Sequence, residues 1–149
     1  MPVNLVDIFN LLQTKKVKLA IGQATYVTMH PEIVRNSGIE EAVVLAKMHQ
    51  MQKDSTKTYL CKDGNKYCVS GYKELIEELP FYSVRRLRRI IVYLEAKGWI
   101  KASRFHSLKR GIGFADKMPQ FHEDNQRKWY CMDYAQILTD TGLDLRQEE

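Results

Sequence analysis

A chain of 149 residues, 44% hydrophobic and 28% charged, can bury one sizeable core, so one domain with extensions is expected and a pair of full-sized domains is excluded. Its net charge of +5 is uneven: Ser83 to Arg110 holds nine basic residues against one acid, Glu95, which gives this segment +8 and leaves the remainder at −3. No apolar run approaches the roughly 18 residues of a membrane span. There is no signal-peptide pattern, and Cys61, Cys68 and Cys131 lack close CxxC spacing, so a cytoplasmic protein without disulfides and without a membrane partner is expected.

Leu5, Ile8, Phe9 and Leu12 recur at helical spacing behind Asn4, a capping residue, which predicts a short amphipathic helix over Asn4 to Gln13. "VKLAIGQATYVTMHP" then alternates Val17, Leu19 and Ile21 as a strand or extended arm that Pro31 closes. Residues 1–30 are thus expected to form an N-terminal helix and arm, which dock on the body or on a second copy, and 31–149 the main domain. From Gly38, an apolar stripe of Ile39, Val43, Ala46 and Met51 predicts a helix, with Glu40 and Glu41 where the helix dipole favours acids. Asp63-Gly64-Asn65 between two short Tyr- and Cys-containing runs predicts a hairpin.

"GYKELIEELPFYS" predicts a helix that buries Leu75, Ile76 and Leu79 and stops at Pro80. Ser83 caps the next helix, whose apolar stripe is Val84, Leu87, Ile91 and Leu94 and whose exit is Gly98. "WIKASRF" and "RKWYC" then read as strands separated by a long Gly-, Pro- and charge-bearing stretch, and a short helix begins near Asp133. Helix, hairpin, helix, turn, helix, strand, long loop, strand is the order of a winged helix-turn-helix. The fold class expected is therefore α+β, with an N-terminal helix and arm and a long wing.

In that arrangement Leu87, Ile91 and Leu94 turn one face of the second helix to the core, leaving Arg85, Arg86, Arg88 and Arg89 outward near the end that enters a major groove. Charge runs usually become solvated helix faces. Here no acid matches the arginines at helical spacing, which favours nucleic acid. Arginine pairs bidentately with guanine, and arginines not doing so contact phosphate, which adds affinity without reading sequence. Lys101 shares the outer face of the first wing strand with Ser103; Arg104 breaks that phase and contacts DNA only where the strand bulges or ends. Lys109 and Arg110, beside Gly111 and Gly113, stand where a wing tip follows phosphates. The candidate DNA contacts are Ser83, Arg85, Arg86, Arg88, Arg89, Lys101, Arg104, Lys109 and Arg110. Trp99, Trp129 and Tyr130 are expected in the core.

Catalytic and cofactor readings find little support. Neither Cys61 with Cys68 nor His106 with His122 has the ligand spacing of structural zinc, and "RGIGF" is not followed by the Lys-Ser/Thr of a phosphate loop. No paired-His motif accompanies the scattered tyrosines. No metal, no cofactor and no enzymatic activity are expected.

"EEAVVLAKMHQM", "GYKELIEELPFYSVRRLRRIIVYLEAKGWI" and "RKWYCMDYAQI", within residues 38–138, resemble winged-helix proteins of phage and mobile-element replication modules, replication initiators or replisome organisers. The resemblance implies sequence-specific double-stranded DNA binding at an origin or operator, with other replication proteins as partners. A winged-helix transcriptional regulator is the first alternative, and a winged helix that meets an acidic protein is the second. A homodimer through Asn4 to Gln13 and the arm after it would join two half-sites.

Overall fold

The strand expected over 17–31 folds back on itself, and Pro31 opens a helix where the end of an arm is expected. The structure, a computed structural model, describes residues 5–22, 25–53, 58–68, 72–104, 113 and 128–147. In chain order come α1 (Leu5–Thr14), β1 (Val17–Gly22), β2 (Thr25–Met29), α2 (Pro31–Ser37) and α3 (Ile39–Lys53). They are followed by β3 (Thr58–Leu60), β4 (Lys66–Cys68), α4 (Tyr72–Glu78), α5 (Val84–Ala96), β5 (Ile100–Arg104), β6 (Lys128–Met132), α6 (Tyr134–Thr141) and a 3-10 turn, Leu145–Gln147. The fold is mixed α+β with small antiparallel sheets.

β1 and β2 form their own antiparallel hairpin, with Val17 opposite Met29 and an irregularity between Ala20 and Gly22. Proline at the first helical position lacks an N–H that the helix would leave unbonded anyway, so it starts α2 without loss. Leu12, Ile21, Val27 and Met29 enter the same buried cluster as α3 and α5. Arg35 of α2 donates to the Gln13 carbonyl at 2.7 Å, fastening the end of α1 to the same chain.

The second sheet has the order β3-β4-β6-β5, antiparallel throughout. β5 and β6 pair in regular register from Ile100 opposite Met132 to Arg104 opposite Lys128, and β4 joins β6 where Cys68 faces Tyr130. Residues paired across strands share a face. Ile100, Tyr130 and Met132 therefore face the main core, whereas Trp129 and Cys131 face the other way and pack with Cys61 and Tyr67 in a second, smaller core. The outer face expected to carry Lys101 and Ser103 is thus partly covered: Lys101 is exposed, and Ser103, opposite the buried Trp129, is half-buried. Trp99, Trp129 and Tyr130 are all in the core. Gly113, from the stretch between β5 and β6, accepts a hydrogen bond from the Lys62 N–H at 2.9 Å, so at this point that stretch lies against the β3–β4 turn.

Three expected apolar stripes shift. In α3, Val43 and Met51 are buried but Ile39 and Ala46 only half so; Ala42, Val44, Leu45, Lys47, Met48, His49 and Gln52 are buried as well, because other elements surround this helix. In α4, Leu75 is fully buried and Ile76 half-buried. In α5, Val84 in the first turn is 44% exposed, and Ile90 takes its place beside Leu87, Ile91 and Leu94.

Candidate nucleic-acid interface

Pro80 cannot continue α4, and the chain turns sharply, with the Tyr82 N–H donating to the Leu79 carbonyl at 3.1 Å. Ser83 takes an extended conformation (φ −77°, ψ 160°), and its hydroxyl oxygen accepts from the Arg86 N–H at 3.1 Å, capping α5. Ser83, expected as a DNA contact, thus has a structural task already. Leu87, Ile90, Ile91 and Leu94 anchor α5 to the core. At roughly 100° per residue, Arg85 and Arg89 then stand opposite the buried face, with Arg86 and Arg88 on its two flanks. All four arginines are exposed. Phe81, Val84 and Val92 are exposed beside them, at 56%, 44% and 56%.

The arginines are not equivalent. Arg86 grips Glu40 of α3 with two arms: Nε donates to Oε2 at 3.1 Å, and Nη2 lies 2.7 Å from Oε1. The acid that matches Arg86 lies outside helical spacing: it comes from another element, 46 residues away in sequence. Tyr82 lies close to this pair. Burial pushes its hydroxyl up to about 12, with Glu40 adding to the shift and Arg86 opposing it. Arg85 and Arg89 have no ion-pair partner among the described residues.

The exit of α5 is also built. Gly98 adopts φ +77°, and a Cβ there would stand 3.4 Å from Gln136 Cγ, so glycine suits both the backbone and the close approach of α6. The Trp99 indole N–H donates to Asp140 Oδ2 at 2.7 Å, and Gln136 donates to Oδ1 of the same carboxylate at 3.0 Å. The Lys97 ammonium lies 4.6 Å above the Trp99 ring. Asp133 caps α6 by accepting from the Gln136 N–H at 3.1 Å.

Lys101, expected on the outer face of the first wing strand, is exposed and pairs with Asp133 at 3.6 Å, in a groove of about 530 Å³ lined also by His49, Lys53 and Arg146 and, among the described residues, by none of α5. Arg104 pairs with Lys128 at the last printed position of β5, and its side chain lies outside the described residues. So do Lys109 and Arg110, and with them His106 and His122.

α3 ties these parts together. Buried Lys47 pairs with Glu78 of α4 at 3.1 Å and donates to Gln50 Oε1 at 2.8 Å. His49 Nδ1 is hydrogen-bonded to the Tyr134 hydroxyl of α6 at 2.8 Å, and Gln50 donates to the Tyr26 carbonyl of β2 at 2.9 Å. Periodicity reveals none of these ties, since each depends on which element packs alongside.

Among the described residues no three His, Cys, Asp or Glu side chains gather as metal ligands, and no helix is long and apolar enough to cross a membrane. Cys61 and Cys131 are buried and unbridged. Burial pushes their thiols up to about 11 and about 12, so both keep their protons at neutral pH. No known protein family, curated protein or solved structure matches this chain.

Proposed function

We propose that this chain is a winged-helix protein of the cytoplasm that binds double-stranded DNA sequence-specifically, in replication initiation of a phage or mobile element, and catalyses no reaction. The observation that carries the reading is the pair Arg85 and Arg89, outward on the second of two helices joined by a tight turn, on the side opposite the residues that anchor that helix. The strand order β4-β6-β5 around α4 and α5 supports it, since a hairpin following the second helix and pairing with a strand before the first is the wing arrangement. In a major groove Arg85 and Arg89 would pair bidentately with guanine, each good pair discriminating by roughly 1–3 kcal/mol. Replication, with replication proteins as further partners, rests on the resemblance of residues 38–138 to initiators and replisome organisers. A transcriptional regulator on the same fold needs the same helix.

A second reading, docking to an acidic protein, is favoured by Phe81, Val84 and Val92, exposed among the arginines, because protein interfaces combine apolar cores with charged rims. Selection of bound sites from random duplex DNA separates the readings. Enrichment of one sequence is expected. A pool that stays random, with no duplex retained at low salt, removes DNA binding and leaves the protein partner.

A further inference from the structure

Arg86 differs from Arg85 and Arg89 in what its guanidinium holds before any partner arrives. Two of its nitrogens meet the two oxygens of Glu40 at 3.1 and 2.7 Å, the parallel arrangement that makes arginine–carboxylate pairs specific as well as strong. The pair is at the surface, with side-chain exposures of 54% for Arg86 and 40% for Glu40, on the flank of the face that carries Arg85 and Arg89. When Arg85 or Arg89 meets a DNA phosphate it gives up water, and a condensed counterion leaves the duplex. Arg86 would give up a carboxylate of equal geometry and leave Glu40 unpaired beside a polyanion. For Arg86 the exchange is close to balanced, whereas for Arg85 and Arg89 it is favourable.

We propose that Glu40 is a specificity-determining residue of the α5 surface: by holding Arg86 it withholds one cation from indiscriminate phosphate binding and leaves duplex contact to Arg85 and Arg89. The assignment rests on the DNA-binding reading of α5. It turns a mismatch of charge into a device, since affinity for any duplex is kept down while the outward arginines still read the matched site. Glu41 supplies the internal control. It is the neighbouring acid, but its carboxylate lies over Gly38 and makes no ion pair with Arg86.

The test measures affinity for one unmatched duplex across a salt series, using the parent, Glu40→Gln, Arg86→Ala, the two combined, and Glu41→Gln alone and with Arg86→Ala. Glutamine keeps the shape of glutamate at an exposed position, so melting temperatures near the parent's verify that the variants are folded. Glu40→Gln is expected to bind the unmatched duplex several-fold more tightly and to steepen log affinity against log salt by roughly 0.9, one added phosphate contact. Arg86→Ala is expected to keep the parent's slope, and adding Glu40→Gln to it should produce no steepening. Equal effects of Glu40→Gln with and without Arg86, or an effect no larger than that of Glu41→Gln, overturn the gate while DNA binding stands. A parent that retains no duplex at the lowest salt overturns the DNA reading and the gate with it.

Discussion

α3 and α5 both carry charge, and they place it in opposite ways. α5 keeps its four arginines on the surface and buries Leu87, Ile90, Ile91 and Leu94 on one face. α3 is enclosed, and its polar residues reach neighbouring elements: Glu40 to α5, Lys47 to α4, His49 to α6 and Gln50 to β2. A charged residue on a half-exposed helix is available to a partner, whereas the same residue on an enclosed helix must find its partner inside the fold. Glu40 stands at the border between the two conditions, because it lies in the first turn of α3, where that helix reaches the surface.

The comparison can be broken first at the apolar residues on which both helices depend. Leu45→Ala in α3 and Leu94→Ala in α5, at sites 1% and 0% exposed, should each destabilise the protein by about 2–5 kcal/mol in denaturant unfolding. An unchanged midpoint for either would show that its helix does not pack as described. Next comes the inward charge. Lys47→Ala takes this cation away from Glu78, which is one-third exposed and partly rehydrates, so a loss of about 1–3 kcal/mol is expected. Lys47→Met, which fills the space without a charge, should stay closer to the parent, and equal losses for both would mean that the lost pairing, not the lost packing, sets the effect.

The junction of the two helices responds to pH. The Tyr82 hydroxyl ionises near 12 in the folded protein against 10 ordinarily, so the folded state retains a proton that the unfolded chain releases. That contribution to stability is intact below pH 10 and is lost as pH rises toward 12, by about 1 kcal/mol at pH 11. Thermal melts of the parent and Tyr82→Phe across this window check it: the parent should decline more steeply, and parallel curves would contradict the shift. The smallest effects belong to the outward charges. A double-mutant cycle of Glu40→Ala and Arg86→Ala should give a coupling of about 0.2–1 kcal/mol in stability, as for exposed pairs, while Arg85→Ala and Arg89→Ala should fall within about 0.5 kcal/mol of the parent. A larger loss at Arg85 or Arg89 would mean that these residues hold the fold and are not available to a partner.

The same contrast explains what can be read in advance. α5 is legible because its core contact is one-sided, so Leu87, Ile91 and Leu94 betray their face by spacing alone. The β3–β4 hairpin is legible from Asp63-Gly64, since few residues accept the φ of +86° found at Gly64. The stripe expected in α3 misleads because a helix enclosed by other elements loses its period. α2 is hidden because Pro31 ends a strand as readily as it starts a helix, and the sequence between β1 and β2 offers no Asn-Gly or Asp-Gly pair to announce a hairpin. Spacing shows the effect of Glu40 on the dipole of its own helix, a local role. Its grip on Arg86 depends on how α3 crosses α5, and no short stretch of sequence contains that.

The central claim is that Arg85 and Arg89 present the positive charge of α5 to duplex DNA. Equilibrium binding of one duplex to the parent and to the double variant Arg85→Ala/Arg89→Ala, over a salt series, tests it most directly. The parent should bind with log affinity falling linearly against log salt. The double variant should bind more weakly, with a slope shallower by up to roughly 1.8 if both arginines neutralise a phosphate. Equal affinity and equal slope for the two proteins would contradict the account.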